Sequence, residues 1–190
     1  MEKIFLEGNR IINTAKQTNV MSAFMKAGGT SSGLNETEKN NLFHSGCIYL
    51  LGGSVGAAYD CFRQIVPHTV SSLFNRALCC YEAQFDTEAF RLLTEAEQAL
   101  TNELGMEKRN GNDALTELLY VAEYTRDNHR APMPPVPVNG RYARIQILRL
   151  KADVAYRLKM YEEVRKIAAG LNGHYAQIND ILSDINSTTP

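Results

Sequence analysis

Through most of this chain apolar residues recur three and four positions apart, the spacing that gathers them on one side of an α-helix. From Glu2 to Gln17 they are Ile4, Phe5, Ile11, Ile12 and Ala15, and Val20, Met21, Phe24 and Met25 follow. The run Gly28-Gly29-Thr30-Ser31-Ser32-Gly33 reads as a flexible link. Residues 1–33 are therefore expected to form an amphipathic arm and linker, which can pack on its own body, on a second copy or on a partner.

Beyond the link the pattern predicts helices in pairs. Asn35 with Glu38 three residues on is a capping box, which starts a helix by satisfying free backbone N–H groups. That helix should run to about Leu51 and end at Gly52 and Gly53. Ser54 can cap a return helix that stops at Pro67. A third helix from about Ser71 to Ala83 and a fourth from Asp86, as N-cap, to about Leu100 repeat the hairpin. Residues 101–140 break the rhythm with an inserted helix over Asp113–Tyr124 and a proline-rich loop. The loop, Ala131 to Val138, carries four of the six prolines and favours an extended polyproline conformation, either as a rigid spacer or as a docking segment. Helices then resume over Arg141–Leu158 and Met160–Gly170. A last one carries Tyr175, Ile178, Ile181, Leu182 and Ile185 as buried candidates. Residues 34–190 thus read as one all-α domain with an insertion at 101–140.

The hairpins are related to one another. Gly46 precedes Ala58, Ala77 precedes Ala89, and Ala152 precedes Val164, each pair separated by twelve residues. Antiparallel helices approach closely only where side chains are small, so these pairs mark three crossings. Larger residues, Tyr49, Phe62, Leu78, Tyr81, Leu93, Tyr156 and Tyr161, are expected to fill the space between units. In order, Leu42, Gly46, Tyr49, Val55, Ala58, Phe62 and Pro67 resemble the tetratricopeptide repeat, and Tyr161-Glu162-Glu163-Val164 resembles its return helix. About half of the chain takes part in the resemblance.

The resemblance implies antiparallel helical hairpins stacked as a short right-handed α-solenoid, whose concave face, lined by first helices, holds an extended peptide or a partner helix. On this chain the implied partner-binding positions are Asn41, His44 and Ser45 in the first unit, Asn75 and Arg76 in the second, and Arg144, Arg149 and Lys151 in the third. Asn can bond both polar groups of a peptide backbone, and Arg grips carboxylates with two donors. The function this implies is a non-catalytic adaptor, chaperone-like or scaffold module. The alternative is a structural subunit of a homo-oligomer or larger assembly, joined through the arm and the terminal helices.

Composition narrows the field without changing this picture. With 44% hydrophobic and 22% charged residues the chain is of globular type. Its net charge of −1, from 20 basic and 21 acidic residues, makes nucleic acid an unlikely partner. The basic stretch from Arg141 to Lys166 is expected to be a solvated helix face. No apolar run reaches the length of a membrane span, and the four cysteines read as buried thiols, so a cytoplasmic setting is expected. The four histidines are scattered and no catalytic or metal-ligand motif is present, so neither an enzyme nor a cofactor is predicted.

Overall fold

The computed structural model describes residues 33–106, 129–137, 140–171 and 175–188, and their regular secondary structure is all helical. In chain order the helices are α1 (Glu36–Leu51), α2 (Val55–Arg63), α3 (Val70–Glu82), α4 (Asp86–Met106), α5 (Gly140–Arg157), α6 (Tyr161–Gly170) and α7 (Ala176–Thr188). The arm expected over residues 1–32 and the inserted helix expected over 113–124 lie outside the described residues.

Local chemistry sets the helix starts. At α1 the Glu38 amide donates to Asn35 Oδ1 at 2.9 Å, and the Asn35 amide donates to Glu38 Oε2 at 2.8 Å, completing the box. At α3 a shorter version does the same work: the Ser72 amide donates to Thr69 Oγ1 at 3.2 Å and the Thr69 amide to Ser72 Oγ at 2.9 Å. This moves the start of α3 one residue ahead of the expected Ser71.

Four expectations need correction. Ser54 makes no side-chain cap bond. The helix it precedes stops at Arg63, because the Arg63 carbonyl would need an N–H at position 67, where proline has none. Asp86 is the first residue of α4 rather than its cap, and α4 continues to Met106, well beyond Leu100.

The three hairpin turns are the same structure repeated. In the first, the Gly53 amide donates to the Leu50 carbonyl at 3.1 Å and the Ser54 amide to the Tyr49 carbonyl at 2.8 Å. In the second, Gln84 donates to Tyr81 at 3.1 Å and Phe85 to Cys80 at 2.8 Å; in the third, Lys159 donates to Tyr156 and Met160 to Ala155, both at 2.9 Å. These paired bonds close a helix whose chain turns through a left-handed residue. That residue is Gly53 at φ 76°, Gln84 at 63° and Lys159 at 59°. Counting from it, the small pairs Gly46/Ala58, Ala77/Ala89 and Ala152/Val164 fall at matching positions, and all six residues are buried.

Each helix packs on the next in sequence from α1 to α7, and α3 also touches α5, as α5 touches α7. One core runs from Phe43 on α1 through Phe62, Phe74, Leu78 and Leu92 to Leu150 on α5. Smaller clusters join α5, α6 and α7 around Leu148, Ile167 and Ile178 and around Ala155, Val164 and Ile185. The helices approach closely at Gly46, where an added Cβ would lie 2.8 Å from the Phe62 ring. Tyr49 departs from expectation: it is exposed rather than wedged between units. Of the other predicted fillers, Phe62, Leu78, Tyr81 and Leu93 are buried, and Tyr156 and Tyr161 are half-buried.

Candidate functional site

The proline-rich loop does not stand clear of the helices as a free spacer. Residues 129–137 run along the first helices. Asn75 on α3 donates through Nδ2 to the Met133 carbonyl at 2.9 Å and accepts at Oδ1 from the Met133 amide at 2.7 Å. Both partners are buried, and Met133 has no exposed surface. Two residues upstream, Gln146 on α5 donates to the Ala131 carbonyl at 2.8 Å. Downstream, Pro135 and Val136 reach the α1 end of the fold, where they border a cavity of about 270 Å³ with Lys39, Phe43 and Ile65. The segment thus spans the first helices of all three units. Prolines suit such a site: they hold the chain extended and lack the N–H groups that burial would leave unpaired.

The loop is anchored at its start by Asp153 of α5. Its Oδ2 accepts from His129 Nε2 at 2.8 Å and from Arg130 Nε and Nη2 at 3.0 and 2.8 Å, with the Tyr81 hydroxyl at 3.5 Å. Its Oδ1 accepts from Gln177 of α7. Burial raises the pKa of this carboxyl, but the His129 hydrogen bond and the Arg130 charge outweigh it and leave the group below its ordinary value. Beside it, burial and the Asp153 charge push the Tyr81 phenol up to about 12. Two guanidinium groups lie against the Tyr81 ring, Arg130 at 5.1 Å and Arg157 at 3.6 Å from its centroid. Arg157 also donates to the Tyr81 carbonyl at 3.0 Å and pairs with Asp86 at 3.3 Å.

The eight residues singled out in the sequence fall into two groups. Asn41 and His44 are exposed on α1 with Ser45 half-buried beside them, and Arg144 is exposed on α5. The other four are buried in contacts within the chain. Asn75 holds Met133. Arg76 donates to the Tyr59 hydroxyl and to His68 Nε2, both at 3.2 Å. Since a guanidinium can only donate, His68 Nε2 is the accepting nitrogen and its Nδ1–H donates to the Ile65 carbonyl at 2.8 Å. Arg149 lies over the Tyr175 ring at 4.8 Å and donates to Gln177 Oε1 at 3.1 Å. Lys151 pairs with Glu97 at 2.9 Å.

The basic stretch is therefore only partly the solvated face expected of it. Arg149 is buried because it stands at a core-facing repeat position, matching Phe43 and Phe74 when counted from the turn, and Lys151 is buried where it pairs with Glu97. Asp153, Gln146 and Gln177 were not among the sequence candidates. The signal for Asp153 was present, since its repeat position is that of Cys47 and Leu78, where a carboxylate requires partners. Its partners, His129 and Arg130, come from a loop that no periodicity could place.

Exposed at the opposite flank of α5 is a shallow basic cavity of about 280 Å³ bordered by Arg141, Arg144 and Tyr175. Cys79 and Cys80 are buried and Cys47 and Cys61 half-buried, and burial pushes the Cys47 thiol up to about 11, away from reactive thiolate. Among the described residues no group of three His, Cys, Asp or Glu is placed to hold a metal ion, and no helix is long and apolar enough to cross a membrane. No family model, curated protein or solved structure matches the chain.

Proposed function

We propose that this chain is a non-catalytic protein-interaction module, a short right-handed tetratricopeptide-like solenoid whose first helices take an extended, proline-bearing segment of a partner. The stacking reading draws on the three equivalent turns, the three small-residue crossings and the packing of each helix on its neighbour. The binding reading draws on one observation above the others: the two-way bond between the Asn75 amide and the Met133 backbone. Such a bond reads main chain rather than side chain, so another extended segment could use it. Residues 129–137 act in this reading as a stand-in for the partner, tethered in the chain itself, and a partner has to displace them.

A labelled peptide of residues 129–137 tests this against the full chain. Met133→Asp should expel the tethered copy and open the face, so that the peptide binds this variant at least about tenfold more tightly than wild type. Adding Asn75→Ala should abolish that binding. Met133→Gly is the milder companion should the aspartate unfold the chain. If neither opened variant binds the peptide while keeping its helical signal, the loop is a fixed part of the core and the reading fails.

The second reading, a structural subunit joined through the arm and terminal helices, is favoured by the apolar surface at Ile48, Tyr49 and Leu51. A solution mass of more than one chain by light scattering would carry it.

A further inference from the structure

The repeat makes the end of α1 incomplete. Counting from the left-handed turn residue, Ile48 corresponds to Cys79 and Val154, and Tyr49 to Cys80 and Ala155. The four residues of the second and third units have no exposed surface, whereas Ile48 is 69% exposed and Tyr49 44%. The order of packing differs between the units. The return helix α2 lies against α3, and α4 lies against α5. Among the described residues α1 has no return helix before it. Leu51 strengthens the contrast, being 76% exposed at the position where the later units carry the charged residues Glu82 and Arg157.

We infer that the N-terminal arm, residues 4–25 of the same chain, covers this face of α1 and takes the place of the missing return helix. Three observations single it out as occupant. It lies immediately before α1 in sequence, as α2 lies before α3. Its apolar residues, Ile4, Phe5, Ile11 and Ile12 followed by Val20, Met21, Phe24 and Met25, recur at the helical spacing that such a helix needs. The connection is also long enough. Residues 28–35 can span up to about 26 Å, and Ile48 stands about 18 Å along α1 from its first residue. The face needs an apolar partner because Ile48, Tyr49 and Leu51 form a contiguous exposed group at the helix end, which water does not stabilise.

The test uses the full chain, with Ile48→Glu on the receiving face and Ile12→Glu on the arm. Trypsin can cut the arm after Arg10, Lys16 and Lys26, and hydrogen exchange reports on the amides of residues 45–51. Wild type should run as one chain by light scattering and resist cleavage in the arm. Both variants should be cut there at least about tenfold faster, with faster exchange at 45–51 and an unchanged mass. Ile12→Glu leaves the described body untouched, so it decides the matter if Ile48→Glu unfolds. Two results would overturn the inference: arm cleavage at the wild-type rate in Ile12→Glu, or a two-chain wild-type mass that falls to one chain in Ile48→Glu. The second would assign the face to another copy.

Discussion

The side chain of Asn75 and the backbone of Met133, 58 residues apart, satisfy each other completely: Nδ2 donates to the carbonyl at 2.9 Å and Oδ1 accepts from the amide at 2.7 Å. Both lie out of water, so neither Met133 group has a substitute partner if the amide is removed. Asn75→Ala should therefore cost about 2–4 kcal/mol of stability, more than the net value of two ordinary hydrogen bonds. Urea denaturation of the full chain measures it. A loss under about 0.5 kcal/mol would show that the loop leaves the helices readily.

Asp153 should give the fold an acid-sensitive clasp. Its folded-state pKa is held below 3.8, so the ionised carboxylate contributes stability that is complete above that ordinary value and is lost as pH falls through the lower folded-state one. Asp153→Asn should cost about 2 kcal/mol at pH 7, because Arg130 and His129 lose a charged acceptor, with some relief from the half-exposed position of Arg130. The variant should also lose less additional stability than wild type between pH 4 and pH 2. Urea midpoints at pH 7, 4 and 2 make the comparison, and parallel curves would contradict it.

Gly46→Ala is a small change with a large expected effect. The new methyl would lie 2.8 Å from the Phe62 ring, which is itself fully buried. Overpacking of this kind costs about 1–3 kcal/mol. Thermal unfolding should show the loss, and Phe62→Leu in the same chain should recover part of it. Simple additivity of the two substitutions would argue against the contact as the cause.

The three turns predict opposite effects for one residue type. Lys159 sits at φ 59°, where a side chain costs roughly 1 kcal/mol, so Lys159→Gly should stabilise by several tenths of a kcal/mol after the added unfolded-state freedom is offset. Gly53→Ala, at φ 76° in the matching turn, should destabilise by about 1 kcal/mol. Thermal midpoints that move the same way for both would refute the equivalence of the turns.

Periodicity and end signals carried the helices a long way. The Asn35/Glu38 box and the twelve-residue spacing of small residues were readable because helix starts and helix crossings depend on residues close in sequence. The Thr69/Ser72 cap escaped because serine can replace the usual acid at the third position. Pro67 was rightly read as a stop but placed too late, since proline withholds a donor from a carbonyl four residues earlier. Of the candidate binding residues, Asn75 meets backbone as its chemistry suggested, but the backbone is the chain's own.

Sequence alone determined that this chain forms helices in three related pairs, because hydrophobic spacing, capping and small-residue crossings are local properties. Tertiary structure decided which polar residues are buried and what they meet. Asp153 gathers His129, Arg130 and Gln177, and Asn75 receives Met133, only once α3, α5, α7 and the loop are brought together. The reason is physical: a buried polar group is stable only with its partner in place, and that partner can stand anywhere along the chain.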